Sequence, residues 1–342
     1  MSRWTFVRME GRKPLGELQS HQWAYEAALV NALVSHVPRP IFSQYQVKGA
    51  AMSLQRGGEP VFAGNIEYGF CQALHGEESA IAAFRSRLDR RIDTESKILA
   101  VIVPPNSVTI APCGNCRDIL LEEFGPETEI VVGSAEGGIA GVASLEEFTR
   151  TPQALIPEVS SPLRKEIEQC AAVGSGIVND VYSAPDAYPG RHYYASIITR
   201  QHSWYGAHDV MCDYHPIYAL EDAVRQARRA RDPFIERVII VGYQKGEHFQ
   251  GALPQVMFRD RQHLFELNFQ QERVLEDEYN PPVFIASSHN RQDGKRSVYV
   301  TLLKEWLPHP FSPVLFGPEF MARFNSHARA SSDLSKASWR TT

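Results

Sequence analysis

The sequence predicts a layered α/β architecture, present twice along the chain. Three observations carry that prediction. From the N-terminus to about residue 150, apolar spacing switches between helical and extended periods in the order helix, two strands, helix, strand, helix, strand. The run Ile98-Leu99-Ala100-Val101-Ile102-Val103 has no polar interruption, as expected of a strand covered on both faces. Landmarks of the first half also return 140 to 142 positions later.

The elements follow in order. A helix over 21–37 presents Trp23, Ala27, Val30, Val34 and Val37 on one side and is stopped by Pro38 and Pro40. Strands over 45–54 and 60–66 flank the turn Arg56-Gly57-Gly58-Glu59. A helix after His75 turns Ala80, Ile81, Phe84 and Leu88 inward. Val108-Thr109-Ile110 leads through Pro112 into a helix with Cys116, Ile119, Leu120 and Phe124 on one side, and Glu129-Ile130-Val131-Val132 forms a further strand. This makes a first domain over 1–150. Residues 151–165, with Pro152, Pro157, Pro162 and several serines, read as a linker, and a second domain follows over 166–290. An extension over 291–342 contains one strand, 297–302, and a Ser-, Arg- and Ala-rich tail from about 325 that is expected to be disordered in part.

The second domain reads as a degenerate copy of the first. Pro112-Cys113-Gly114-Asn115-Cys116-Arg117-Asp118 is echoed by Pro254-Gln255-Val256-Met257-Phe258-Arg259-Asp260, and Gly64 by Gly206, both at an offset of 142. His75 is echoed by His215, and the strand at 98–103 by Val238-Ile239-Ile240-Val241, both at 140. In that register Gln255 stands for Cys113, Phe258 for Cys116 and Ile217 for Glu77, none of which replaces the original chemistry.

Bulk properties set the function classes. A length of 342 residues suits two domains of ordinary size. The hydrophobic and charged shares, 43% and 22%, are those of a globular protein. The net charge is -5 and the 35 basic residues are scattered, which argues against a long nucleic acid as partner. No uncharged apolar run reaches the roughly 18 residues of a membrane span. The start, Met1-Ser2-Arg3-Trp4, lacks the apolar core of a secretory leader. Five cysteines, two of them in a Cys-x-x-Cys pair, suit a reducing compartment and a metal, so the expected location is cytoplasmic.

Four residues carry the chemistry. Cys113 and Cys116 open a helix, where the positive end of the dipole favours thiolates. His75 opens another, and the three donors together suit zinc with a position left for water. Glu77, two residues on, does not share a helix face with His75, so it is assigned proton transfer instead. His-x-Glu followed by Pro-Cys-x-x-Cys is the signature of zinc nucleobase deaminases. Glu78 is expected as a solvated helix residue, and Cys71, Cys170 and Cys212 as buried thiols. His202, His208 and His215 form no complete ligand set.

The motifs resemble the cytidine deaminase family, in its long, two-domain, dimeric branch. His75-Gly76-Glu77-Glu78-Ser79-Ala80-Ile81 is similar to that branch's His-Ala-Glu-Gln-Ser-Ala-Ile, and Pro112 to Arg117 to its Pro-Cys-Gly-His-Cys-Arg. Phe62-Ala63-Gly64-Asn65-Ile66-Glu67 resembles the stretch that holds the ribose, and Ser43-Gln44-Tyr45-Gln46-Val47 the stretch whose aromatic meets the base. The resemblance implies a three-layer fold, a zinc ion, a small nucleoside substrate, a homodimer and a dead C-terminal copy. It assigns Asn65 and Glu67 to a sugar hydroxyl and Tyr45 to the substrate ring. Gly76 in place of alanine, an extra residue at Lys48 and Asp118 in place of glutamine depart from the pattern, and 290–342 has no counterpart. Three other readings stand beside it. One is deamination of a free base, a deoxynucleotide anchored by Arg85, Arg87 or Arg117, or an antibiotic nucleoside. The others are a non-catalytic zinc-stabilised binding protein and nucleic-acid editing, the last disfavoured by the acidic balance.

Overall fold

A computed structural model describes residues 46–53, 61–68, 72–86, 97–103, 112–134, 139–177, 192–208, 217–232, 234–243, 253–269, 280–289 and 294–307. The helix expected over 21–37, the turn at 56–59, Val108 to Ile110 and the C-terminal tail lie outside the described residues. The fold is mixed α/β, and it divides between Thr149 and Arg150 into two compact units.

The first unit contains strands β1 (Lys48–Ser53), β2 (Val61–Gly64), β3 (Ile66–Tyr68) and β4 (Gln72–Leu74), then helix α1 (Gly76–Ser86) and β5 (Lys97–Val103). Helix α2 (Gly114–Glu123), β6 (Glu129–Ser134), β7 (Ile139–Ser144) and the short α3 (Leu145–Thr149) complete it. Five strands form one sheet in the order β2-β1-β5-β6-β7, and β3 and β4 form a separate hairpin. The uninterrupted apolar strand is β5, at the sheet centre, and its residues 98–103 are all buried. It runs parallel to β6, because α2 supplies the crossover between them, and antiparallel to β1. Ala80, Ile81 and Phe84 form the buried stripe of α1 at the expected helical spacing. Phe84 meets Phe124 edge-on at 5.4 Å, and Arg85 pairs with Glu123, so α1 and α2 are joined side by side. Gly125, at φ +91°, ends α2 in the left-handed region, with its N–H on the Leu120 carbonyl.

The second unit holds β8 (Ala154–Leu155), α4 (Ser161–Ile177), β9 (Tyr193–Thr199), β10 (Ser203–Ala207), α5 (Ala219–Ala230) and β11 (Ile235–Gly242). It closes with α6 (Phe258–Phe269), β12 (Pro282–Ala286), β13 (Val298–Leu302) and α7 (Leu303–Trp306). Its sheet order is β10-β9-β11-β12-β13-β8. Apart from the added edge strand β8, order and pairing sense repeat the first sheet: antiparallel, antiparallel, parallel, antiparallel.

Two boundaries differ from the sequence expectation. Residues 151–165 are not a plain linker: Ala154 and Leu155 pair with β13, and α4 begins at Ser161. Prolines misled here because Pro152 and Pro157 flank a two-residue edge strand and Pro162 sits in a first helical turn, all positions that need no backbone N–H. Nor does the second unit end at 290, since β13 is one of its sheet strands and α7 packs its buried Leu303 and Trp306 there.

Helix starts in the two units are offset by 143 to 144 positions, against the 140 to 142 of the sequence landmarks. Gly114 and Phe258 open matching helices 144 positions apart, and Gly76 and Ala219 open the other pair 143 apart. Buried arginines agree: Arg117 Nε donates to the Pro112 carbonyl at 2.8 Å, and Arg261 Nε to the Val256 carbonyl at 3.1 Å, again 144 apart.

Candidate metal centre

The β3–β4 hairpin delivers the chain to His75, which sits just ahead of α1. Its carbonyl accepts the Ser79 N–H at 2.9 Å, and its own N–H donates to Glu78 Oε2 at 3.3 Å. Glu78 thus closes the first turn of the helix as the returning half of a capping box, rather than being merely solvated. The signal was present in the sequence, a glutamate three positions after the helix entry, but histidine is not an expected cap residue.

Cys113 caps α2 with extended backbone (φ -68°, ψ 169°) and makes no side-chain capping hydrogen bond. Its sulfur instead lies 3.1 Å from His75 Nδ1, and Cys116 Sγ lies 3.4 Å from the same nitrogen. The three donor atoms all fall within 4.8 Å of one another, and both cysteines are buried. A tetrahedral zinc with ordinary Zn–S and Zn–N lengths places its sulfur and nitrogen donors about 3.5 Å apart. The His75, Cys113 and Cys116 set therefore fits zinc in chemistry and in spacing.

The electrostatics are those of donors crowded out of water. A hydrogen bond from Cys116, and then the nearby His75 charge, pull the Cys113 thiol well below its ordinary value against the effect of burial. Cys116 is pushed well above its own, by its bond to Cys113 and then by burial. The Cys113 charge raises His75 to about 10, although burial opposes it. The direction at Cys113 favours the thiolate, the form in which a cysteine binds a metal.

Glu77 is buried in the first turn of α1. Burial first, and the Cys113 charge second, raise its pKa, while His75 and a hydrogen bond from Cys116 hold it down. A carboxyl so placed beside the donor set is suited to take up and return a proton.

The expected sugar-binding residues divide. Asn65, between β2 and β3, is buried, and its Oδ1 accepts the Val47 N–H at 2.9 Å. Glu67 lies half-buried on β3, opposite Ala73, two residues before His75. Tyr45 lies outside the described residues. Of the proposed phosphate anchors, Arg117 is fully buried, with Nη1 on the Phe148 carbonyl at 2.9 Å, and Arg85 is paired with Glu123. Neither is placed as an open anion anchor, and Arg87 lies outside the described residues.

Counted from the helix starts, Tyr218, Leu220, Met257 and Asp260 of the second unit hold the positions that His75, Glu77, Cys113 and Cys116 hold in the first. Asp260 accepts a hydrogen bond from buried Tyr193 at 3.0 Å, and Tyr218 lies between the His208 ring and the Arg259 guanidinium. Gln255, Phe258 and Ile217 sit at other positions relative to their helix starts, and His215 lies outside the described residues. Cys170 is a buried thiol as expected.

Solved structures similar to part of the chain are cytidine deaminases. The enzyme from Burkholderia pseudomallei is 23% identical with a TM-score of 0.32, over 37% of this chain and 94% of its own. That from Mycobacterium leprae is 24% identical with a TM-score of 0.27, over 36% and 92%. That from Mycobacterium tuberculosis is 22% identical with a TM-score of 0.27, over 37% and 91%. No family model and no curated protein matches the chain. No helix among the described residues is long and apolar enough to cross a membrane.

Proposed function

We propose that this protein is a zinc-dependent hydrolytic deaminase that converts a cytidine-type nucleoside and water to the uridine-type product and ammonia. The observation that carries the reading is the approach of His75 Nδ1 to both Cys113 and Cys116 sulfurs, with buried Glu77 beside them. Zinc, when bound, supplies the Lewis acidity that makes hydroxide available near neutral pH. His75, Cys113 and Cys116 would hold it, and the burial of the two cysteines keeps bulk water from their sulfurs. Glu77 would take one proton from the attacking water and pass it to the ring nitrogen, then carry the second, from the hydroxyl now on the ring carbon, to the amine, which leaves as ammonia as the carbonyl forms. Asn65 and Glu67 hold a sugar hydroxyl, for which an amide and a carboxylate supply donor and acceptor, and Tyr45 packs against the ring.

The rest of the proposal follows from the two sheets. We read the second unit as a duplicated, degenerate copy, supported by the shared strand order and by the loss of all four chemical residues at matching helix positions. A cytoplasmic homodimer acting on a small molecule, with no long nucleic acid or membrane partner, completes the reading. The test is ammonia release from cytidine, deoxycytidine, cytosine, cytidine monophosphate, adenosine and guanosine. Turnover of a cytosine nucleoside supports it. A zinc-loaded protein inert on all six would favour a specialised heterocycle or a binding role.

A further inference from the structure

We propose that Gly76 is a positioning residue, which lets the first turn of α1 press on the Val47 backbone and so holds Asn65 in place relative to the metal ligands. This rests on the deaminase reading only in giving Asn65 a substrate to hold. A Cβ at position 76 would stand 2.8 Å from Val47 Cγ1, 2.9 Å from the Val47 carbonyl oxygen and 3.1 Å from its carbon. Two of those three atoms are backbone, so no rotamer change relieves the overlap. The approach is built from both sides, since a Cβ at Gly49 on β1 would stand 2.8 Å from the Gly76 oxygen and 3.0 Å from Ala80 Cβ.

The atom that such a methyl would strike is already in use. The Val47 carbonyl accepts the Asn65 N–H at 2.9 Å, and the Val47 N–H donates to Asn65 Oδ1 at 2.9 Å. Val47 is therefore the shared neighbour of the metal helix and of Asn65. The β3–β4 hairpin closes the circuit, because Ile66 pairs with Leu74, the residues next to Asn65 and His75. Any shift of Val47 moves Asn65 against a hairpin whose other strand ends at a metal ligand.

The second unit supplies an internal control. Its matching helix begins with Ala219, fully buried, so a helix laid on such a sheet tolerates a methyl at that position. There too the strand approaches the helix start closely, at Gly206, where a Cβ would overlap the Ala219 carbonyl oxygen. Glycine at the helix start occurs in the unit that carries the metal donors. In the loaded protein His75 is tethered by the metal and its N–H by Glu78, so an added methyl displaces Val47, and Asn65 with it.

The experiment is Gly76→Ala in the full-length, zinc-loaded protein. One zinc per chain is retained, the KM for cytidine rises about tenfold, and kcat falls by less than about threefold, the pattern of lost binding and not lost chemistry. Amide exchange at Val47 and Asn65 quickens about tenfold, as their mutual bonds open more often. In an Asn65→Ala background, Gly76→Ala adds less than about twofold to KM, since the two changes act through one link. Unchanged exchange at both amides overturns the proposal, as does a fully additive effect on KM. Loss of zinc overturns it too, by placing the displacement at His75. If the unaltered protein does not turn over cytidine, that counts against the deaminase reading, and the exchange rates alone decide the role of Gly76.

Discussion

Arg117 and Arg261 make the same two bonds in the two units. Each Nε donates to the carbonyl five residues upstream, and each Nη1 donates to the carbonyl of an aromatic residue in the short closing helix, Phe148 at 2.9 Å and Trp306 at 3.0 Å. Each guanidinium also lies over that aromatic ring, at 5.8 Å and 4.9 Å. The second unit keeps this clamp although its described residues hold no His/Cys/Cys set, so the arginine serves the fold before it serves the thiolates.

Arg261→Ala therefore lowers the stability of the second unit by about 3 kcal/mol, because two buried carbonyls lose charged donors. Urea denaturation measures this, and zinc content is unaffected. Arg261→Lys recovers only part, since one ammonium cannot span both carbonyls along a planar fork. The matching Arg117→Ala also weakens zinc binding, because the Pro112 carbonyl it holds fixes the turn that presents Cys113. Equal zinc affinity in Arg117→Ala would refute that link.

Glu77→Gln is nearly isosteric and leaves the three donors in place. Zinc stays at one per chain by elemental analysis, while ammonia release falls by about 10²- to 10⁴-fold, the usual range for a general acid–base group. Full activity in this variant would remove Glu77 from the mechanism.

The metal count tests the two halves against each other. One zinc per chain is expected, lost in His75→Ala and in Cys116→Ser, and unaffected by Met257→Leu. Two zinc ions in the unaltered protein would contradict the degenerate reading of the second unit, whose corresponding positions carry Tyr218, Met257 and Asp260.

Acid sensitivity is expected in the second unit. Burial, and then the neighbouring His192, hold His208 down to about 4 from an ordinary 6.5, and burial lowers His192 as well. The two rings lie 4.6 Å apart. Between pH 6.5 and 4 the unfolded chain binds a proton that the folded unit resists, so stability falls as pH falls and is fully present above 6.5. Thermal unfolding across that window shows the slope, and His208→Phe flattens it; an unchanged slope would assign the effect to other groups.

Much was legible in the residues alone. The apolar run 98–103 had to be a central strand, since six consecutive nonpolar side chains cannot leave one face in water. The donor set His75, Cys113 and Cys116, with Glu77 apart from it, followed from ligand chemistry and from helix geometry, both of which are local. What only the tertiary structure decided was whatever depends on close approach between segments distant in the chain. It brought His75 to the two sulfurs 38 and 41 residues away, and it offset the helix starts of the two units by 143 to 144 positions where the sequence landmarks recur at 140 to 142. It turned the proline-rich stretch after 150 into an edge strand and a helix start, and it gave Gly76 its reason in the Val47 backbone. Periodicity and ligand preference are properties of neighbouring residues and can be read in order. Packing distance is a property of pairs, and it exists only once the chain has folded.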